Sequence, residues 1–128
     1  MDVLIDTQTL IWFCEDNPRL PVPIKLLMES SDNLFISIAS FWEITIKASL
    51  GKLTVCENIA DVIDNALSKG FRILPIEREH LIALSTLNFI HRDPFDRIII
   101  AQAIAENMPL VSSDDIFQQY PIDCVWKN

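Results

Sequence analysis

The stretch Val3-Leu4-Ile5-Asp6-Thr7-Gln8-Thr9-Leu10-Ile11-Trp12-Phe13 decides the fold. Three consecutive apolar residues read as a short strand buried on both faces, the pattern of a parallel sheet. A helix then starts near Thr7 and ends before Asn17-Pro18. A doubly buried strand feeding directly into a helix opens a parallel α/β arrangement, because parallel strands need crossover connections.

Working outward, the same alternation continues. Pro21 and Pro23 set up a short helix through Met28 and Glu29, and Asn33 to Ile36 reads as a second strand. A helix from Ser40 to Leu50 ends at Gly51, where a left-handed residue is wanted. Another spans Glu57 to Lys69, with Ile59, Val62, Ile63 and Ala66 on one face, and Gly70 stops it in the same way. Phe71 to Leu74 makes a third strand and Glu77 to Leu87 a further helix. Phe95 to Asn107 is the most apolar helix, Leu110-Val111 a brief strand, Asp114 to Gln119 a short helix and Cys124-Val125 an edge strand. Nothing resembling a linker or repeat divides the chain, so residues 1–128 are expected to form one α/β domain around a parallel sheet of four to five strands. The Phe95 helix is apolar almost all round, which implies burial on two sides, by the core or by a second copy. Leu10 to Phe13 add to that excess, and self-association is expected.

Composition limits the chemistry. The chain has 128 residues, 18 acids against 10 Lys and Arg, a net charge of -8 and two glycines. With glycine only at positions 51 and 70, neither GxGxxG nor GxxxxGK[ST] can be written, so Rossmann and P-loop phosphate cradles are excluded. The overall basic footprint of a nucleic-acid binder is also absent. Acids stand where a signal peptide needs a basic start, and no apolar run approaches a membrane span, so a cytoplasmic protein without membrane contact is expected. Cys14, Cys56 and Cys124 are odd in number and far apart, which fits reduced apolar fillers.

Four acids share one context. Asp6 follows the first strand, Glu43 and Asp96 lie in the first turns of helices that follow connections at the same edge, and Asp114 follows the Leu110-Val111 strand. All fall at the carboxyl end of a parallel sheet, where open α/β sheets bind ligands. Singly, each has a structural explanation. Ser40-Phe41-Trp42-Glu43 fits a capping box. Asp93-Pro94-Phe95-Asp96 fits an Asp cap, a proline at the first helical position and an acid favoured by the helix dipole. Asp6 and Asp114 fit N-caps. Together they crowd one rim, and neighbouring carboxylates cannot all stay ionised without a cation. Hard oxygen donors suit Mg²⁺ or Mn²⁺. His80 reads as an ordinary helix residue, and His91 as a residue able to touch a substrate.

Elimination narrows the reaction. A haloacid-dehalogenase-type hydrolase wants a second Asp two positions after the first, and Gln8 stands there. A phosphoacceptor receiver wants an acid directly after the third strand, where Pro75 and Ile76 stand. No Ser or Cys nucleophile has a His base nearby in the pattern. Metal-assisted hydrolysis of a phosphodiester by water survives. The competing reading is a non-catalytic module whose acidic groove docks a basic segment of a protein partner.

Leu4-Ile5-Asp6-Thr7, Ser40-Phe41-Trp42-Glu43-Ile44, His91-Arg92-Asp93-Pro94-Phe95-Asp96-Arg97 and Leu110-Val111-Ser112-Ser113-Asp114 resemble, in order, the four signatures of PIN-domain proteins. The branch they look most like is the VapC-like toxins of bacterial type II toxin–antitoxin pairs. The resemblance implies a three-layer α/β/α sandwich and Mg²⁺- or Mn²⁺-dependent RNA cleavage with one or two ions. It further implies a cognate antitoxin in the active groove, and homodimerisation. Asp6, Glu43, Asp96 and Asp114 match the metal-binding acids. Asp93 matches a family acid in the same turn, as helix cap first and supporting acid second. Thr7 and Ser112 stand where family hydroxyls orient a carboxylate or water, and Arg97 matches an arginine that packs the acid rim or meets phosphate. Gln8 and Asp115 depart from the family pattern beside the pocket. Lys47, Lys52 and Arg92 are the candidates for positioning RNA phosphates, which supply much of the affinity for nucleic acid.

Overall fold

A computed structural model describes residues 1–51 and 58–126. Five parallel strands form one sheet: β1 (Asp2–Ile5), β2 (Asn33–Ser37), β3 (Phe71–Leu74), β4 (Leu110–Val111) and β5 (Cys124–Val125), in the order β3-β2-β1-β4-β5. Val3 pairs with Leu34 and Ile5 with both Ile36 and Val111, which puts β1 at the centre. Val3, Leu4 and Ile5 are completely buried, as a doubly covered central strand requires.

Among the described residues, six α-helices cover the two faces: α1 (Thr7–Glu15), α2 (Val22–Ser30), α3 (Ile38–Ser49), α4 (Ile59–Ser68), α5 (Arg78–Ser85) and α6 (Pro94–Glu106). Successive residues of a strand point to opposite faces. Val3 and Ile5 therefore pack with Leu10, Ile24, Met28, Ile44 and Ala66 from α1 to α4. Leu4 and Leu110 pack on the other face with Ile99, Ile100 and Ala103 of α6 and with Phe117. This is the expected three-layer sandwich.

The order in which the strands are laid down matters for function. From β1 the chain steps outward through β2 to β3 along one side, then returns by α5 and α6 to place β4 on the other side of β1. The direction of winding thus reverses between β1 and β4. Such a switch point opens a crevice outside the carboxyl ends of the two strands.

Local signals account for most boundaries. Gly51 and Gly70 both have left-handed backbone, at φ 70° and 95°, just past the ends of α3 and α4. Asp6 caps α1 by accepting the Thr9 amide at 2.9 Å, and Asp93 caps α6 by accepting the amides of Phe95 and Asp96 at 2.9 and 3.2 Å. The expected helix of residues 114–119 is a 3-10 turn, Asp115–Gln119, capped by Asp114 through the Ile116 amide at 3.1 Å. His80 is fully buried, with its Nε2 2.8 Å from Glu106, and so ties α5 to α6.

The expected start of the third helix is corrected. Strand β2 runs on to Ser37, whose extended backbone and hydroxyl, accepting the Ala39 amide at 3.0 Å, make it the N-cap of α3. The helix therefore begins two residues before Ser40, and Ser40 with Glu43 forms no capping box. Glu43 lies in the second turn, and its carboxylate is released from any cap for other partners. The expected start of the fourth helix, Glu57, lies outside the described residues, and the observed cap is Asn58.

Candidate active site

A cavity of about 390 Å³ opens at the carboxyl end of the sheet, lined by Asp6, Glu43, Asp93, Asp96 and Asp114 together with Thr7, Lys47 and Ser113. Its place is the crevice of the switch point: Asp6 ends β1, Asp114 follows β4, Glu43 comes from α3 and Asp96 from the first turn of α6. Four separate strand–helix units thus deliver the four acids singled out in the sequence.

Asp6 and Glu43 are each held by one neighbour from far along the chain and one close by, Asp96 and Asp114 by nearby residues. Asp6 is buried, and Ser112 donates its hydroxyl to Oδ2 at 2.5 Å while Thr9 donates its amide to Oδ1. The same Ser112 oxygen accepts the Asp114 amide at 3.1 Å, so one hydroxyl couples two cavity acids. Glu43 is also buried. Its Oε1 lies 2.8 Å from the Thr7 hydroxyl, which is itself 2.9 Å from that of Ser40. Its Oε2 receives Lys47 at 2.6 Å. Asp96 Oδ2 lies 3.2 Å from His91 Nε2.

The charge is undercompensated. Burial pushes the Asp6 carboxyl above its usual range, against the hydrogen bonds from Ser112 and Thr9, and the Asp114 charge adds to the rise. Asp96 is raised to about 6, chiefly by burial and then by the charge of Asp93, with the hydrogen bond from His91 opposing. Lys47 is raised in turn, first by its hydrogen bond to Glu43, with Asp93 and Asp96 contributing. Its ammonium occupies the rim as a stand-in cation.

Among the described residues, no three Asp, Glu, His or Cys side chains stand close enough together to hold a metal ion as they are. The acidic donors around the cavity are nevertheless all hard oxygen, and protein cations of this class, Mg²⁺ above all, keep several waters and use few carboxylates. Such a donor set, with raised acids and a lysine on Glu43, fits a partly hydrated divalent ion.

The supporting residues divide. Thr7 and Ser112 touch the carboxylates they were expected to orient. Asp93 is the helix cap and also lines the cavity. Arg97 is buried with its guanidinium turned away to the carbonyls of Leu87 and Asn88 at 3.3 and 2.9 Å, over the ring of Phe89. Those contacts are packing ones. Lys47 lines the cavity, Arg92 is exposed and stands outside its lining, and Lys52 lies outside the described residues. Gln8 lines the cavity and Asp115 sits exposed beyond it.

Three contributors were not among the expected site residues. Ser113 lines the cavity, Ser40 meets Thr7, and Tyr120 sits behind His91 with its hydroxyl 2.6 Å from Nδ1. Ser113 adjoins a signature acid and was within sight. Tyr120 was not, since it lies 29 residues from His91.

Comparison with known proteins agrees with this architecture. Among curated protein sequences nothing matches the chain significantly. Among solved structures it is similar to VapBC2 of Rickettsia felis bound to a promoter DNA fragment, with a TM-score of 0.75 at 19% identity over 98% of each chain. It is also similar to FitAcB of Neisseria gonorrhoeae, at 0.68 and 16%, covering 97% of this chain and 96% of that one. A toxin–antitoxin complex from Klebsiella pneumoniae gives 0.67 and 20%, with the same coverages. At these identities the likeness is one of fold. The family assignment comes from the sequence itself, because residues 3–123, from β1 to the approach of β5, match the PIN domain model: the chain belongs to the PIN domain family.

Proposed function

We propose that the protein is a Mg²⁺- or Mn²⁺-dependent endoribonuclease that cleaves RNA phosphodiester bonds with water as nucleophile, and that it is the toxin of a toxin–antitoxin pair. The observation that carries this reading is the meeting of Asp6, Glu43, Asp96 and Asp114 at one crevice, where burial first and neighbouring acids second raise Asp6 and Asp96. When bound, a divalent ion supplies Lewis acidity at the phosphate and lowers the pKa of water.

The chain's own residues prepare the site for it. Ser112 fixes the rotation of Asp6, and Thr7 fixes one oxygen of Glu43. Lys47 neutralises the other oxygen while the rim is otherwise bare, and its half-exposed stem lets it swing to a phosphate of the RNA backbone. Gln8 and Ser113 offer neutral hydrogen-bonding groups on the wall. Arg92 stands exposed beside the Asp93 cap, where it can meet an adjacent phosphate. With a net charge of -8, affinity for arbitrary RNA is expected to be weak, and recognition falls to exposed, particular sites.

The fold neighbours include VapBC and toxin–antitoxin complexes, which supports a cognate antitoxin as partner. A basic side chain from that partner on Glu43 would repeat what Lys47 does. No helix among the described residues is long and apolar enough to cross a membrane, and we place the protein's action in the cytoplasm, where its RNA would be met.

Incubation of the purified protein with labelled RNA tests the activity. Cleavage should require Mg²⁺ or Mn²⁺ and stop with EDTA. Asp6→Asn or Asp96→Asn should lower the rate at least about a hundredfold, since metal charge stabilisation is worth several kcal/mol. Cleavage that survives both chelation and substitution would sink the reading. Intact RNA under every metal condition would favour the non-catalytic docking groove.

A further inference from the structure

Behind Asp96 runs a chain of buried and part-buried polar contacts that metal coordination does not explain. Tyr120, almost fully buried, closes the 3-10 turn that begins at Asp114. Its hydroxyl oxygen accepts Arg97 Nη1 and the backbone amide of His91, both at 3.3 Å. A phenol oxygen has two lone pairs and one proton. With both lone pairs facing N–H donors, the proton is left for the third neighbour, His91 Nδ1, at 2.6 Å.

That bond sets the ring. A neutral imidazole that accepts at Nδ1 carries its proton on Nε2. Nε2 faces Asp96 Oδ2 at 3.2 Å and so donates to it. Arg97 cannot lose its charge, and it is anchored to Leu87, Asn88 and Phe89. The direction of donation therefore runs one way, from guanidinium to phenol to imidazole to carboxylate. Imidazoles and hydroxyls that orient a metal-ligand carboxylate in this manner tune affinity without touching the ion.

We propose that Tyr120 is a positioning residue: it fixes the Nε2–H tautomer of His91, which in turn holds the Asp96 carboxylate in the orientation that binds the divalent ion. The inference rests on the metal-dependent reading above, and deepens it. Because Tyr120 terminates the turn capped by Asp114, it also ties the Asp114 wall to the Asp96 wall.

The chain has two histidines, so the test has an internal control. His80 Nδ1 accepts the Glu77 amide at 2.9 Å, which fixes the same tautomer without Tyr120. Long-range proton–nitrogen NMR of metal-free protein should show both rings protonated at Nε2. In Tyr120→Phe, His80 should be unchanged, reporting an intact fold, while His91 becomes a mixture of tautomers. Mn²⁺ affinity, read from the free-ion EPR signal, should fall about tenfold. His91→Gln, whose side-chain amide can still donate to Asp96, should retain affinity within about twofold, whereas His91→Ala should lose about tenfold. Those two variants decide the matter should Tyr120→Phe fail to fold.

A wild-type His91 protonated at Nδ1 would overturn the proposal. So would an Mn²⁺ affinity that Tyr120→Phe leaves unmoved, whatever the tautomer does. Wild-type protein that takes up no Mn²⁺ would overturn the metal reading and the positioning role with it. That failure is told apart from a failure of the relay, because the tautomer is read without metal.

Discussion

Asp96 shows how much one residue's environment adds to its identity. As an acid in the first turn of α6 it should gain from the helix dipole. Burial and the charge of Asp93 nevertheless raise its pKa to about 6 from an ordinary 3.8. Between about pH 4 and 6 the folded state then holds more protons than the unfolded one, and stability falls as pH rises through that window. Below the window the penalty is absent; above it the penalty is complete. Asp96→Asn should therefore stabilise the metal-free protein at pH 7 by about 1–2 kcal/mol, after allowing for the lost dipole interaction. Near pH 4 the advantage should vanish. Urea denaturation in EDTA at the two pH values checks this, and a variant less stable than wild type at pH 7 would count against it.

Among single residues, Asp6, Asp96 and Asp114 were legible because each sits beside a strong local signal, a strand end or a helix start, whereas Glu43 lies a turn beyond the cap its pattern suggested. Arg97 was legible only as a residue. Whether its guanidinium met phosphate or packed the rim depended on the Leu87–Phe89 turn folding over it, which no local pattern announces.

Helix α3 carries the lesson at the scale of elements. Ser-x-x-Glu at Ser40–Glu43 is a good capping pattern, yet Ser37 takes the role because β2 extends to it by pairing with Leu74 of β3. Tertiary pairing overrode a local preference, and in doing so turned Glu43 toward Thr7 and Lys47. Hydrogen exchange distinguishes the two arrangements. Ser37→Ala should speed exchange at the Ala39 amide and cost about 1 kcal/mol of stability. Ser40→Ala should leave that amide protected, since its hydroxyl serves Thr7 instead. Helix α6 gives the complementary case. Its apolar surround is used within one chain, between the sheet and α5, with Ile98 to Ala103 all buried. The core therefore accounts for its apolar sequence without a second copy.

At the scale of the whole molecule, self-association remains our expectation on other ground. Trp42, Leu81, Ile82 and Phe89 are large apolar side chains left substantially exposed, and a second copy covering them would remove that surface from water. Sedimentation at micromolar concentration should show a dimer, and a monomer would count against it.

The sequence by itself determined the alternation of strands and helices, the caps at Asp6, Asp93 and Asp114, the helix-ending glycines and the identity of the four acids. Those depend on periodicity, backbone freedom and hydrogen bonds spanning a few residues. Tertiary structure alone decided the strand order with its reversal between β1 and β4, and hence that the acids share one crevice. It also brought Ser112 to Asp6 across 106 residues of chain, Thr7 to Glu43, and Tyr120 behind His91. These are contacts between segments far apart in sequence, and their geometry follows from how the sheet packs its two helical layers.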